Sequence, residues 1–115
     1  TIHPGRRTAK RPPSMTDYIR LGHMLDHIAD LAEKVSVRVA IENMEPAVNA
    51  LLTTPNEVAK VLEDRPWLWF TYDVAHALRS GPEIVAAFLE IGADRIGNIH
   101  LSGISSGKMH GPISR

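Results

Sequence analysis

The sequence predicts an α/β fold of about four parallel strands alternating with helices, and three observations carry that expectation. Three short, apolar, β-branched runs each end on a side chain that favours divalent metal. Val37-Arg38-Val39-Ala40-Ile41 stops at Glu42, Trp67-Leu68-Trp69-Phe70-Thr71-Tyr72 at Asp73, and Ile96-Gly97-Asn98-Ile99 at His100. Glu42 to Asp73 is 31 residues and Asp73 to His100 is 27, close to the roughly 30 residues of one βαβ unit. Helical patterns fill the intervals, and such alternation builds a parallel sheet with helices outside it. Parallel strands would set the three end groups side by side at one sheet edge, where α/β folds place their chemistry.

Thr1-Ile2-His3 followed by Pro4-Gly5 reads as the end of a first strand. The Pro12-Pro13 pair then bars an early helix start. From about Thr16 to Lys34 the pattern is an amphipathic helix, with Leu21, Leu25, Ile28, Ala32 and Val35 on one apolar stripe. Ser14 or Thr16 can cap it, and Asp17 suits the positive end of the helix dipole. After the strand ending at Glu42 comes an irregular segment, Asn43 to Leu52, of a length that is usually functional or disordered. Thr54-Pro55-Asn56-Glu57 announces the next helix with a capping Thr, a Pro at the first helical position and a Glu three residues after the cap. It runs through Val58, Val61 and Leu62 to Asp64-Arg65-Pro66. A third helix starts near Gly81-Pro82-Glu83, buries Ile84, Phe88 and Ile91, and stops at Gly92. A flexible Ser102–Gly107 loop follows His100.

With 115 residues, 43% of them hydrophobic, the chain can build a core, and no run of about 18 apolar residues would span a membrane. Zero cysteines exclude disulfides and thiolate metal sites, so a metal would be held by His, Asp and Glu. Such donors suit zinc, manganese, cobalt or magnesium. Cysteine-free composition fits a cytoplasmic setting. Thirteen basic against thirteen acidic residues argue against a dedicated nucleic-acid binder. Arg6, Arg7, Lys10 and Arg11 cluster after the first strand end and either solvate a loop or meet a phosphate. Four strands cannot close an eight-stranded barrel, so the chain reads as part of a larger unit; a self-sufficient flavodoxin-like sheet is the alternative.

Each candidate has a bland reading beside the chemical one. Glu42, costly to desolvate at the end of a buried strand, would either meet a cation or pair with an arginine such as Arg38. Asp73 would ligate, or cap a helical turn over Val74 to Leu78, or both. His76, three residues after Asp73, is a candidate supporting or second-metal residue. His100 completes a mixed nitrogen and oxygen set with Glu42 and Asp73, and His110, before Gly111-Pro112, can fold back over it. His23 and His27 are four apart on a helix, but Met24 follows His23 where a zinc-protease helix needs Glu, so they read as a solvated face. No Gly-x-Gly-x-x-Gly, Walker-type or Gly-x-Ser-x-Gly motif is present.

Ile2-His3-Pro4-Gly5, Ala40-Ile41-Glu42-Asn43, Tyr72-Asp73-Val74-Ala75-His76-Ala77, Asn98-Ile99-His100-Leu101-Ser102 and His110-Gly111-Pro112 occur in an order that resembles the xylose isomerase-like TIM-barrel superfamily. The resemblance covers residues 1–115 as a single incomplete domain, about the third to sixth strands of a (β/α) barrel. It implies that Glu42, Asp73 and His100 coordinate a divalent metal, with a fourth ligand, a glutamate, beyond Arg115. In epimerase-like members the group matching Glu42 also moves a proton, and the one matching His76 contacts substrate oxygens. In members like endonuclease IV, the apurinic-site nuclease, the groups matching His3 and Glu42 share a zinc, and those matching His76 and His110 hold a third with an aspartate where this chain has Lys108. The leading expectation is therefore a metal-dependent isomerase or epimerase of a sugar or sugar phosphate, working through an enediolate. The alternatives are endonuclease IV-like hydrolysis of abasic DNA, and a fragment or binding module inactive on its own. No membrane partner is expected, and the oligomeric state is left open.

Overall fold

Glu42, Asp73 and His100 each close a strand of one parallel sheet. The computed structural model describes residues 1–5, 11–101, 103–105 and 108–111. The elements in order are α1 (Met15–Val35), β1 (Ala40–Glu42), α2 (Pro55–Glu63), β2 (Trp69–Asp73), α3 (Val74–Leu78), α4 (Pro82–Gly92), β3 (Ile96–His100), β4 (Gly103–Ser105) and β5 (Lys108–Gly111). The main sheet has the order β1-β2-β3, all parallel. Ile2 adds a bridge on the outer side of β1: its N–H donates to Ala40 O (2.8 Å), and its carbonyl accepts from Glu42 N–H (3.1 Å). Among the described residues, that bridge is what the anticipated first strand contributes to the sheet.

The local signals explain the helices. Ser14 precedes α1, and Asp17 at its third position accepts from the Ser14 backbone N–H at 2.8 Å. Thr54 opens α2: its Oγ1 accepts from Glu57 N–H, while the Glu57 carboxylate accepts from Thr53 N–H at 2.8 Å and Thr54 N–H at 3.4 Å. Leu21 and Leu25 of the α1 stripe are buried, but Val35 at its end is 66% exposed, because the chain turns away through Ser36 in the left-handed region. Among the described residues no helix is long and apolar enough to cross a membrane.

The core lies between the sheet and its helices. Phe70 and Tyr72 on alternate positions of β2 meet Phe88 of α4, with ring centroids 6.2 and 5.7 Å away, and Ile41, Val58, Leu62 and Leu68 close around them. Tyr72 donates its hydroxyl to Val85 O (2.9 Å), and burial pushes the phenol up to about 12. Arg95 ties the end of α2 to the start of β2 through the carbonyls of Leu62, Arg65 and Leu68.

Two expectations need correction. Within the anticipated Ser102–Gly107 loop, the described residues Gly103–Ser105 form a strand that pairs antiparallel with Lys108–Gly111, and residues 102, 106 and 107 lie outside the described part. The strands are also shorter than their apolar runs, since Val37 is exposed and β1 spans three residues. The Asn43–Leu52 segment is ordered by burial: Met44 N–H donates to Leu52 O (3.0 Å), and Leu52 is fully buried with φ of 58°. A left-handed leucine costs roughly 1–2 kcal/mol, which burying its side chain, worth about 1.5–3 kcal/mol, offsets.

Candidate metal centre

Alternation along the strands sets the site. Ile41, Phe70 and Tyr72 face the core, so Glu42, Thr71 and Asp73 belong to the opposite face of the sheet. β3 would miss this phase without a bulge. Phe70 pairs with Ile96 but Thr71 pairs with Asn98, so Gly97 is an extra residue, and the shift brings His100 opposite Asp73. Because side chains alternate, an unbulged β3 would turn His100 to the other face. Gly97 also gives room to Trp69: a Cβ there would sit 3.4 Å from the indole.

Glu42 is 2% exposed and Asp73 is 0% exposed. His100 Nδ1 lies 2.6 Å from Glu42 Oε1 and 3.9 Å from Asp73 Oδ2, and His3 Nε2 meets Glu42 Oε2. Donor atoms of Glu42, Asp73 and His76 all fall within 4.8 Å of one another. Asp73 fills the anticipated capping role, its Oδ1 accepting from His76 N–H (2.9 Å) at the start of α3, and its Oδ2 faces His76 Nδ1 (3.5 Å) and His100. Arg38 does not pair with Glu42; its guanidinium lies 5.7 Å over the Trp69 ring. Among the described residues, the carboxylate of Glu42 has the imidazoles of His3 and His100 as its partners.

Asn43 closes the Ala40-Ile41-Glu42-Asn43 motif but is not among the candidate site residues that the sequence offers. It is fully buried, its Nδ2 donates to Asp73 O (3.0 Å), and its Oδ1 accepts from Asp73 N–H (2.7 Å). Its carbonyl lies 2.8 Å from His76 Nδ1. Below the carboxylates, the hydroxyls of Thr1 and Thr71 lie 2.8 Å apart.

The model of the xylose isomerase-like TIM barrel family matches residues 1–113. The chain belongs to this family. It is 32% identical to the uncharacterized protein MJ1188 of Methanocaldococcus jannaschii over its whole length, covering 42% of that relative. A crystal structure of a D-tagatose 3-epimerase-like protein superimposes with a TM-score of 0.63 at 25% identity, over 88% of this chain and 39% of its own. The apo structure of the 3-keto-D-glucoside 4-epimerase YcjR from E. coli superimposes with a TM-score of 0.67 at 16% identity, over 85% of this chain and 40% of its own, a likeness of fold alone. The chain thus spans about two fifths of the relatives it matches and is a partial TIM barrel.

Within this xylose isomerase-like unit, the structure brings together five of the candidates: His3, Glu42, Asp73, His76 and His100. The backbone of His110 falls in β5, while its side chain and that of Lys108 lie outside the described part. Arg6, Arg7 and Lys10 lie outside the described residues, and Arg11 pairs with Asp17 at 3.1 Å at the start of α1. His23 and His27 are exposed on α1. The donor set fits a divalent cation: two buried carboxylates with oxygens this close repel unless positive charge meets them, and imidazoles supply the remaining donors.

Proposed function

We propose that this barrel unit carries the centre of a metal-dependent isomerase or epimerase acting on a sugar or sugar phosphate. The observation that supports it most is the convergence of Glu42, Asp73 and His100 from three strand ends, with the two carboxylates buried and the imidazole exposed beside them. The family and the named epimerase neighbours support the reaction class. Glu42, Asp73 and His100 would hold the cation, with His3 beside Glu42. Zinc, manganese, cobalt or magnesium in that place would polarise the carbonyl and hydroxyl oxygens of an open-chain sugar.

Glu42 is the base of this scheme. Its carboxylate accepts the proton from the carbon next to the sugar carbonyl, the electron pair of that C–H bond passes into an enediolate, and a second carboxylate of the complete barrel returns a proton. Burial of Glu42 keeps water from competing for that proton. His76 contacts a substrate oxygen in this reading. The activity belongs to the full-length protein, and a unit of this extent is expected to have little turnover alone.

A second reading, phosphodiester hydrolysis at abasic DNA, has one observation in its favour: His3 meets Glu42, as the nuclease-like resemblance implies. Lys108, a cation where those nucleases carry an aspartate, weighs against a three-metal site. Elemental analysis of the full-length protein separates the readings. One divalent ion per chain, lost in Glu42→Gln and Asp73→Asn, is expected; unchanged stoichiometry in those variants overturns the ligand assignment. Three zinc ions per chain with incision of an abasic duplex would favour the nuclease.

A further inference from the structure

We propose that Asn43 is a positioning residue whose clamp on the end of β2 holds His76 as its Nδ1–H tautomer, so that the lone pair of the ring is on Nε2. The inference rests on the reading above only in giving His76 a ligand to meet.

Three observations carry it. His76 Nδ1 lies 2.8 Å from the Asn43 carbonyl, which bears no proton and only accepts. A second polar neighbour of that nitrogen, Asp73 Oδ2 at 3.5 Å, is a carboxylate oxygen and also accepts. Both therefore require the hydrogen on Nδ1. The Asn43 carbonyl, in turn, is pinned by its own side chain, whose carboxamide closes a two-bond ring with the carbonyl (3.0 Å) and N–H (2.7 Å) of Asp73. Asn43 and Asp73 are fully buried, so water offers no substitute for either bond. A carboxamide is the side chain that meets both a carbonyl and an N–H at once, and the isosteric aspartate has only acceptors.

The consequence for the site is a choice of nitrogen. A sugar hydroxyl that donates to His76, or a cation that binds it, meets Nε2; Nδ1 is committed to the backbone. An imidazole free in water favours the Nε2–H form, so the scaffold selects the less common tautomer.

The test is a long-range 1H–15N correlation on the ¹⁵N-histidine-labelled full chain without metal or substrate, in mildly alkaline buffer, with His76 assigned by its loss in His76→Gln. The wild type is expected to show pyridine-like Nε2 and pyrrole-like Nδ1 at His76. Asn43→Ala is expected to shift the ring so that the Nε2–H form becomes the major one. Should Asn43→Ala not fold, Asn43→Asp, which keeps the shape but loses the donor, is read in the same way. Thr54→Ala, which weakens a distant helix cap, is expected to lower stability and leave the His76 pattern unchanged. An Nε2–H pattern in the wild type, or an unchanged Nδ1–H pattern in the Asn43 variant, overturns the proposal. Neither readout uses turnover, so a wild-type Nδ1–H pattern in a protein that epimerises no sugar would sink the proposed reaction and leave this inference standing.

Discussion

At the scale of single residues, position on a strand marked three of the groups that the fold brings together, and left Asn43 beside them hidden. Glu42, Asp73 and His100 stand out because each follows an apolar run, and a charged or imidazole group there needs a reason to be desolvated. Asn43 gives no such signal, because asparagine after a strand is ordinary loop chemistry and its ring of bonds with Asp73 joins residues 30 positions apart. Asp17 was legible as a helix-start residue, but its closeness to Ser14 was not. The Ser14 backbone N–H donating to its carboxylate, joined by Arg11, holds Asp17 down at about 2 from an ordinary 3.8, against the upward push of burial. A carboxyl lowered in this way stabilises the fold while ionised. Its contribution is complete above 3.8 and is lost as pH falls through about 2. Thermal unfolding of Asp17→Asn should therefore fall below the wild type at neutral pH, with the gap closing as the pH is lowered into that range. A gap that stays constant across the acid range would contradict the assignment.

Among the elements, helix signals were read closely because caps and prolines act within one turn: Thr54, Pro55 and Glu57 set the start of α2 where the pattern put it. Strand ends were legible, while strand starts and register were not, since hydrogen-bond partners come from elsewhere in the chain. The Gly97 bulge is the plainest case, for an apolar run containing one glycine does not say which neighbours its residues will face. Its effect is testable through the proposed metal site. Deleting Gly97 should remove the bulge and keep Asn98, Ile99 and His100 opposite Thr71, Tyr72 and Asp73, so metal affinity in the full-length protein should be retained. An Ala inserted between Asn98 and Ile99 should instead turn His100 away and weaken that affinity by more than the roughly 10–100-fold that loss of a supporting partner costs. Gly97→Ala, whose methyl meets the Trp69 ring at ordinary contact distance, should retain the ion. Equal affinity of the insertion variant and the wild type would show that the register of β3 does not aim His100.

For the whole molecule, alternating strands and helices foretold a parallel sheet and its shared edge, and the family match agrees with that architecture. What composition could not convey is how the layers are joined. The aromatic cluster of Phe70, Tyr72 and Phe88 is the principal junction between sheet and helices. Phe88→Ala should cost about 3–5 kcal/mol, a large share of the roughly 5–15 kcal/mol by which domains are stable. Urea denaturation should show a lower midpoint with little change in slope, and an unaltered midpoint would place the junction elsewhere.

The hydroxyl pair of Thr1 and Thr71 reaches past β1, since Thr1 belongs to the segment on its outer side and Thr71 to β2. Backbones two strands apart in a flat sheet are about 9.5 Å from one another, too far for two threonines standing upright to touch. His100 likewise reaches Glu42 over the top of β2. The threonine contact requires the sheet to be concave toward it, with the small side chain of Ala40 leaving the span open, and the Glu42–His100 contact lies over the same hollow. The bend of a closed cylinder is thus already present in these few strands, and the polar groups that would do the chemistry sit where the bend draws them inward.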